Sequence, residues 1–298
     1  MQELLEGSHP VRMCAPMVRY SKLPFRMLVR QYECDVAFTP MIIADSFVHS
    51  AKARANEFTT SEVDRPLVVQ FAAKTAEEFS TAAQLVSPYC DAVDLNCGCP
   101  QRWAIKECYG CYLLNQPELV ADMVRQTKCN ATVPVSIKIR VSEDMRKTVE
   151  LVRRAEKAGV EWITVHGRTV KQRAEPVDYD SIKQVVDSVS IPVFANGDIT
   201  QASHVGDVCS RTGARGVMAA RGILSNPGMF AGHSQTTLDC IQSWVDIALS
   251  TGTPFTTFHH HLMYMLEKAH SKADRQVFNT LGSIPAVLNF LESHYGIS

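Results

Sequence analysis

The sequence predicts an α/β protein, a (β/α)8 TIM barrel followed by a small C-terminal helical domain. Eight short apolar or β-branched runs recur at intervals of about 25 to 40 residues, each followed by helix-compatible sequence. Beyond residue 222 this rhythm gives way to long segments with helical periodicity. A chain of 298 residues is long enough for such a barrel, which typically takes about 250 residues, and a modest appendage.

The strands of the barrel are predicted from the eight apolar runs. In chain order they are VRMCAPM (11–17), VAFTPMI (36–42), PLVVQFA (66–72), AVDLNCG (92–98), PVSIKIR (134–140), WITVHGR (162–168), PVFANGD (192–198) and GVMAARG (216–222). Amphipathic stretches separate them, and KTVELVRRAEKAG ends at Gly159, a residue type that commonly ends helices. The longest interval, residues 99–133, is long enough to carry a loop over an active site.

The C-terminal part is predicted to be helical. Its periodic segments are LDCIQSWVDIALS (238–250), TFHHHLMYMLEKAHS (257–271) and DRQVFNTLGSIPAVLNFLESHYG (274–296). We therefore divide the chain into a barrel, residues 1–235, and a helical domain, residues 236–298. The three successive histidines at 259–261 point in different directions on a helix, so we expect helix surface and one packed ring rather than a metal site.

Composition excludes several classes of protein. A hydrophobic fraction of 46% with 20% charged residues is typical of a folded globular protein, and no apolar run reaches the length of a membrane span. The start, MQELLEGSHP, lacks a secretory pattern, so we expect a cytoplasmic or nuclear location and free thiols at the ten cysteines. The net charge of −1 gives no global basic field, so a polyanion site must be local.

Polar residues gather at the predicted C-terminal ends of the strands, where the active sites of such barrels lie. They are Gln70, Asp94, Asn96, Lys138, Arg140, His166, Arg168, Asn196, Asp198 and Arg221. Gly197 and Gly222 follow the last two strands, the usual place of a phosphate pocket, although tight turns alone would also explain glycine there.

An ordered set of motifs carries a family resemblance. CAPM, VQFA, LNCGCP, YGCYLL, SIKIR, ITVHGRT and PVFANGD follow one another between about residue 11 and residue 231. Together they resemble the tRNA-dihydrouridine synthases, flavin barrels that reduce specific uridines of tRNA. CAPMVRYSKLPFR and NCGCPQRW are most similar to the eukaryotic branch called dihydrouridine synthase 4-like, which implies D-loop positions 20a and 20b.

The resemblance implies FMN across the barrel mouth, reduced by NADPH or NADH that visits it transiently. Lys138 would place positive charge near flavin N1 and the C2 carbonyl, and the amide of Gln70 would bond the pyrimidine edge. The family pattern places around FMN the residues Ala15, Pro16, Met17, Gln70, Lys138, His166, Asn196, Gly197, Asp198, Ala220, Arg221 and Gly222.

The resemblance also implies the catalytic acid. Hydride from flavin N5 reaches uracil C6, and a proton must then reach C5. The cysteine before proline in the family motif is that acid, which here is Cys99, and a thiol is largely protonated at neutral pH. Cys97 is expected to be a packing thiol, Asn96 to bond the uracil and Arg173 to clamp the extruded nucleotide.

The loop after Cys99 departs from the family pattern. Cys108 and Cys111 flank Tyr109 and Gly110 where members usually have small residues, so crowding could affect closure and turnover of the loop. The four cysteines Cys97, Cys99, Cys108 and Cys111 also fit the pattern C-x-C-x8-C-x2-C, an alternative four-thiolate zinc site. This is not a standard spacing and the flavin motifs explain Cys99 better, so we expect no structural metal.

A tRNA substrate requires local cations, and the helical domain is expected to bind it. The candidate cations are Arg19, Lys22, Arg26, Arg30, Lys52, Arg54, Lys171, Arg173, Lys268, Lys272 and Arg275, which solvated helix faces would also explain. Two other functions stay open. One is an FMN barrel that reduces a free small molecule, and the other is a catalytically weakened barrel that binds RNA or a protein.

Overall fold

The computed structural model describes residues 1–297, so Ser298 of the predicted helical domain lies outside the described residues. All paired strands in this part of the chain are parallel. The strands are β1 (Val11–Cys14), β2 (Val36–Phe38), β3 (Ile42–Ile43), β4 (Leu67–Ala72), β5 (Ala92–Cys97), β6 (Val135–Arg140), β7 (Trp162–His166), β8 (Val193–Asn196) and β9 (Gly216–Ala219).

Helices follow most strands. They are α1 (Gln2–Glu6), α2 (Leu23–Arg30), α3 (Ala44–His49), α4 (Ala51–Glu57), α5 (Ala76–Val86), α6 (Arg102–Lys106), α7 (Pro117–Asn130), α8 (Met145–Ala158), α9 (Tyr179–Val186), α10 (Ser203–Thr212), α11 (Arg221–Ser225), α12 (Leu238–Ser250), α13 (Phe255–Met265), α14 (Lys272–Asn279) and α15 (Ile284–Tyr295). Single 3-10 turns lie at Ser87–Tyr89, Gly110–Asn115 and Met229–Ala231.

The sheet closes on itself. Its order is β2-β1-β9-β8-β7-β6-β5-β4-β3, and β2 also pairs with β4, so eight strands form a ring and β3 is a short addition beside β4. The predicted (β/α)8 barrel is therefore confirmed. The second predicted strand, 36–42, is shorter than expected because it ends at Phe38, two residues before Pro40, which has no N–H to donate to a neighbouring strand.

Helix boundaries follow from local chemistry. The side chain of Thr75 accepts a hydrogen bond from Glu78 N–H and so begins α5, and Asp144 begins α8 in the same way through Arg146 N–H. Gly159 ends α8 in the left-handed conformation at φ 98°, as its place in the sequence predicts. These caps fix the residues at which α5 and α8 begin and the residue at which α8 ends.

Much of the barrel interior is filled by apolar side chains. A buried cluster there contains Val11, Met13, Ala15, Val36, Phe38, Val68, Ala92, Trp162, Phe194 and Met218. Met1, Leu4 and Leu5 from the N-terminal helix pack against it, and Arg215 donates to the backbone oxygens of Leu4 and Leu5. Buried polar side chains such as Gln70, Asn96 and Asn196 lie towards the C-terminal ends of the strands.

The C-terminal helices pack on the barrel through α2. Phe25 stacks on the ring of His261 at 4.5 Å between centroids, and Trp244 contacts both rings. His259 is also buried and bonds the backbone oxygen of Phe278 at 2.9 Å, so the expectation of one packed ring is wrong. Within residues 1–297 no helix has the length and apolar character needed to cross a membrane.

Candidate active site

Polar residues of neighbouring strands lie side by side at the barrel mouth. The parallel register places Gln70 of β4 opposite Asp94 of β5, and Asp94 opposite Ser136 of β6. One step further along the strands' shared face, Asn96 lies opposite Lys138. Residues two apart on a strand share a face, so these pairs form successive polar layers inside the barrel.

A chain of hydrogen bonds links the first of these layers to Cys99. Gln70 Nε2 donates to Asp94 Oδ2 at 2.7 Å, and Asn96 Nδ2 donates to Gln70 Oε1 at 2.8 Å. Asn96 Oδ1 then accepts from Gly98 N–H at 3.2 Å and from Cys99 N–H at 2.9 Å. Gln70 is fully buried, and each end of its amide already bonds one protein group.

The loop that carries Cys99 is held from the other side by the following 3-10 turn. Cys111 N–H donates to the backbone oxygen of Cys99 at 3.0 Å. Gly110 has φ 61°, and a Cβ there would lie 2.6 Å from the same oxygen. Only glycine permits this approach, so Gly110 and Cys111 fix Cys99, which is half-buried.

The neighbouring cysteines differ in burial. Cys97 is fully buried in the apolar core, as expected of a packing thiol, and burial raises its pKa well above the usual range. Burial also raises the pKa of Cys111 to about 12, so both are neutral thiols. Cys108 adopts a left-handed φ of 64°, a strained conformation for a residue with a side chain. Residues 1–297 contain no cluster of three or more ligating side chains suited to a metal ion, so the zinc alternative finds no support.

Lys138 is a cation enclosed by the barrel. Its Nζ donates to Asn196 Oδ1 at 2.9 Å, and Asn196 Nδ2 donates to the backbone oxygen of Met218. Burial, together with the nearby positive charge of Arg140, lowers the pKa of Lys138 to about 8. Lys138 is half-buried, and a cation with a lowered pKa at the end of a barrel strand is typical of a functional site.

His166 and Arg140 lie beside this cation. Burial and the positive charges of Lys138, Arg140 and Arg168 lower the pKa of His166 to about 2, so its ring is neutral. Arg140 donates to the backbone oxygens of Gly98 at 3.2 Å and Thr169 at 2.9 Å. Arg140 therefore joins the Cys99 loop to the loop that follows β7.

The predicted phosphate residues surround a second group of charges. Arg168 is 2% exposed and its Nη2 donates to both carboxylate oxygens of Asp198, at 2.7 and 2.6 Å. Gly197 has φ 122°, and a Cβ on Gly222 would lie 2.2 Å from the backbone oxygen of Ile199. Both glycines are therefore required by the backbone, with or without a ligand.

A cavity of about 520 Å³ opens between these residues and the C-terminal helices. Four arginines and one lysine line it, which suits an anionic ligand. Predicted site residues on its wall are His166, Arg173, Asn196, Gly197, Asp198, Ala220, Arg221 and Gly222, and Arg140, Arg168, Met265 and Lys268 join them. The other predicted flavin residues are not on its wall. Gln70 and Lys138 lie on β4 and β6, and Ala15, Pro16 and Met17 follow β1, where Ala15 N–H donates to the backbone oxygen of Ala219.

Asp94, Arg140 and Arg168 stand at predicted strand ends without a predicted role, and Ser136 is not among the predicted site residues. In the structure Asp94 accepts hydrogen bonds from Ser136 and Gln70. Arg140 and Arg168 each donate to a backbone oxygen of the loop that follows β7. Period-2 alternation in the fourth and fifth predicted strands was the available signal, since it places Asp94 with Asn96 and Ser136 with Lys138 on one face.

Two of the predicted phosphate contacts are wrong. Arg26 is 1% exposed and forms an ion pair of 2.7 Å with the fully buried Asp64, and Arg30 pairs with the same carboxylate at 3.2 Å. A guanidinium committed to a buried carboxylate cannot reach RNA. The exposed candidates are Arg19, Lys52, Lys171, Arg173, Lys268, Lys272 and Arg275, while Lys22 and Arg54 are half-buried.

One aromatic residue near Cys99 is exposed. Trp103 lies on α6, four residues after Cys99, and is 49% exposed. It lines a groove together with Val18, which is 57% exposed and follows the predicted flavin segment of β1. The mouth therefore has an apolar rim on this side and a cationic cavity on the other.

The chain matches the dihydrouridine synthase (Dus) family over residues 13–287. It belongs to the dihydrouridine synthase family. The resemblance indicated by the motifs is thus confirmed, and the barrel described above is that of an oxidoreductase.

Similar proteins of known name agree with this membership. A mouse protein named tRNA-dihydrouridine(20a/20b) synthase [NAD(P)+]-like is 56% identical over 297 residues, covering 99% of this chain and 92% of its own length. The human protein of the same name is 55% identical over 298 residues, covering 99% and 94%. The crystal structure of the Amycolatopsis orientalis BexX/CysO complex aligns with a TM-score of 0.51 at 17% identity, over 84% of this chain and 95% of that one, which shows the fold alone.

Proposed function

We propose that this chain is an FMN-dependent tRNA-dihydrouridine synthase that reduces D-loop uridines at positions 20a and 20b, with NADPH or NADH as reductant. The observation that carries the proposal is Cys99, fixed at the barrel mouth by Asn96 and Cys111 close to the enclosed cation of Lys138. The names of the mouse and human relatives, which match almost the whole chain, support the substrate and the reductant.

The residues present fit FMN. After its bonds to Asp94 and Asn96, the Gln70 amide keeps one N–H and one oxygen lone pair, but the side chain has no exposed surface, so its contact with a pyrimidine edge would require a rearrangement at the mouth. Lys138 offers positive charge in a buried setting, and the cavity beside Asn196 offers cations for a phosphate. When bound, FMN supplies the hydride that uracil C6 receives.

Glycine backbone completes the phosphate side of this site. Gly222 of α11 lies against the backbone of Ile199, and both residues line the cavity. The residues that would hold FMN are those that the family pattern implies, Ala15, Pro16, Met17, Gln70, Lys138, His166, Asn196, Gly197, Asp198, Ala220, Arg221 and Gly222. His166 is neutral, so it adds a hydrogen-bonding ring and no charge.

The chain's own residues would then handle the uracil and its proton. Cys99 gives its thiol proton to C5, and Asn96, which already orients the Cys99 backbone, bonds the ring. Arg140 keeps the Cys99 loop against the loop after β7. Arg173, exposed at the rim of the cavity, would clamp the extruded nucleotide, and cations of the C-terminal helices such as Lys268 would contact tRNA phosphates.

The first experiment is an absorption spectrum of the purified protein, followed by chromatography of the flavin released on denaturation. We expect bound FMN. A colourless protein that also fails to take up added FMN would contradict the proposal. Lys138→Ala should weaken flavin retention or its reduction by NADPH, and unchanged flavin kinetics would remove the role given to Lys138.

The second experiment follows dihydrouridine in unmodified tRNA by mass spectrometry. Cys99→Ala should keep the yellow colour and lose dihydrouridine formation, whereas Cys129→Ala, an exposed thiol on α7, serves as the matched control and should keep the activity. Full activity of Cys99→Ala would refute its role as acid. Reduction of free uridine with no activity on tRNA would instead support a small-molecule reductase.

A further inference from the structure

We propose that Asp94 is a positioning residue for Cys99: its carboxylate fixes the direction of the two amides that connect it to the Cys99 loop. The inference rests on the proposed function, because it concerns the residue assigned there as the proton donor. Asp94 lies on β5 inside the barrel and is fully buried, and both of its carboxylate oxygens accept hydrogen bonds from protein side chains, Oδ2 from Gln70 and Oδ1 from Ser136. It therefore acts through other residues rather than on a ligand.

The direction of each bond follows from what the groups can do. An ionised carboxylate only accepts hydrogen bonds, so Gln70 must turn its NH2 group towards Asp94 and its oxygen towards Asn96. Asn96 must then give its NH2 group to Gln70 and its oxygen to the N–H groups of Gly98 and Cys99. Without the carboxylate, either amide could be reversed, and a reversed Asn96 would present NH2 to two backbone N–H groups.

The same series of hydrogen bonds also determines which N–H and which oxygen lone pair of the Gln70 amide remain uncommitted. Because one N–H and one lone pair are committed, the remaining N–H and lone pair have fixed positions. Burial raises the pKa of Asp94 to about 6, so the carboxylate is ionised at neutral pH and is available as the acceptor. Retaining a buried charge is costly, which is why we assign it a specific purpose.

Ser136 provides a matched control. Its Oγ donates to the other oxygen of Asp94, Oδ1, at 2.7 Å, the same length as the bond from Gln70. Removing this hydroxyl takes one bond from the carboxylate and leaves the direction of Gln70 and Asn96 unchanged. Any effect of Asp94 variants that Ser136→Ala does not share is therefore specific to the amide chain.

The test compares Asp94→Asn, Asp94→Ala and Ser136→Ala as full-length holoenzymes. Asn can still accept from Gln70 but no longer dictates the direction, so we expect kcat for dihydrouridine formation to fall by about tenfold, and by about a hundredfold in Asp94→Ala, where Gln70 loses its partner. KM for tRNA should stay unchanged, and Ser136→Ala should remain within about threefold of wild type.

A second readout does not depend on activity. Hydrogen exchange measured by mass spectrometry should be faster at the Gly98 and Cys99 amides in both Asp94 variants and unchanged there in Ser136→Ala. Unaltered exchange in Asp94→Ala, or the same loss of kcat in Ser136→Ala as in Asp94→Asn, would overturn the inference. A wild-type protein that is inactive on tRNA would contradict the proposed function but not this inference, since the hydrogen-exchange comparison would still test the hydrogen bonds from Asp94 to Cys99.

Discussion

Gly110→Ala should disable the proposed proton donor without removing the flavin. Gly110 has φ 61°, and a side chain in the left-handed region costs about 1 to 2 kcal/mol. The new Cβ would lie 2.6 Å from Cys99 O and 2.8 Å from Cys99 Cβ, where an ordinary contact begins at 3.4 Å. The Cys99 loop must therefore move by on the order of 1 Å, and a displacement of that size at a reacting group can lower the rate about a hundredfold.

Gly252→Ala is the matched control, because it carries the same cost of a left-handed backbone without displacing the Cys99 loop. Gly252 has φ 63°, and a Cβ there would meet nothing within 4 Å. Gly252→Ala should therefore lose about 1 to 2 kcal/mol of folding free energy, a few degrees of Tm in a thermal melt, and Gly110→Ala should lose at least as much because its overlap with Cys99 adds to the backbone cost. Only Gly110→Ala should lose dihydrouridine formation at saturating tRNA, with bound flavin measured by its absorbance. Equal turnover by the two variants would refute the reasoning.

Three further predictions concern charges. Asp64→Asn leaves Arg26 buried without its carboxylate, so urea unfolding should show a loss of about 3 to 5 kcal/mol, and a loss below 1 kcal/mol would contradict it. The ordinary pKa of Lys138, 10.5, is lowered to about 8 in the fold, so at this group the unfolded chain binds more protons between these pH values and the contribution of Lys138 to stability rises with pH across that window. Buried thiols such as Cys34, whose pKa is raised, act in the opposite direction, so the test is the difference in Tm between wild type and Lys138→Met in the flavin-free protein, which should shift in favour of wild type as pH rises. Lys268→Glu at the cavity should weaken tRNA binding and lower the slope of log K against log salt by about one unit, while Lys157→Glu, exposed at the far end of α8, should not.

The barrel could be predicted from the sequence because its strands are buried on both faces. Such strands read as short continuous apolar runs, and β4, β5 and β6 all begin within one residue of the predicted start. The site could be predicted in outline for the same reason, since the end of each run marks the mouth. The roles of individual residues at the mouth were predicted from the family motifs. Of the residues with a predicted role, Cys99, Asn96 and Lys138 lie together in one region.

Burial of individual polar residues could not be predicted in the same way. Arg26 reads as a cation on a helix, and only the fold brings it to Asp64, which is 38 residues away in the sequence. The bonds of Gln70 to Asp94 and Asn96 depend on the register between β4 and β5, and no local pattern encodes it. One packed ring was expected among the three histidines, but both His259 and His261 are buried, because their burial depends on Phe278 and Phe25, which belong to other helices.

The exposed indole four residues after Cys99 gives the protein a built-in fluorescent reporter of its mouth. Trp162 is sealed in the bottom of the barrel and Trp244 is buried against α2, so acrylamide in solution reaches neither, whereas Trp103 is open to the quencher. The quenchable part of the emission therefore comes from one known position. Titrating unlabelled tRNA while following only that part would record when the rim beside Cys99 becomes covered, without attaching a dye to either molecule.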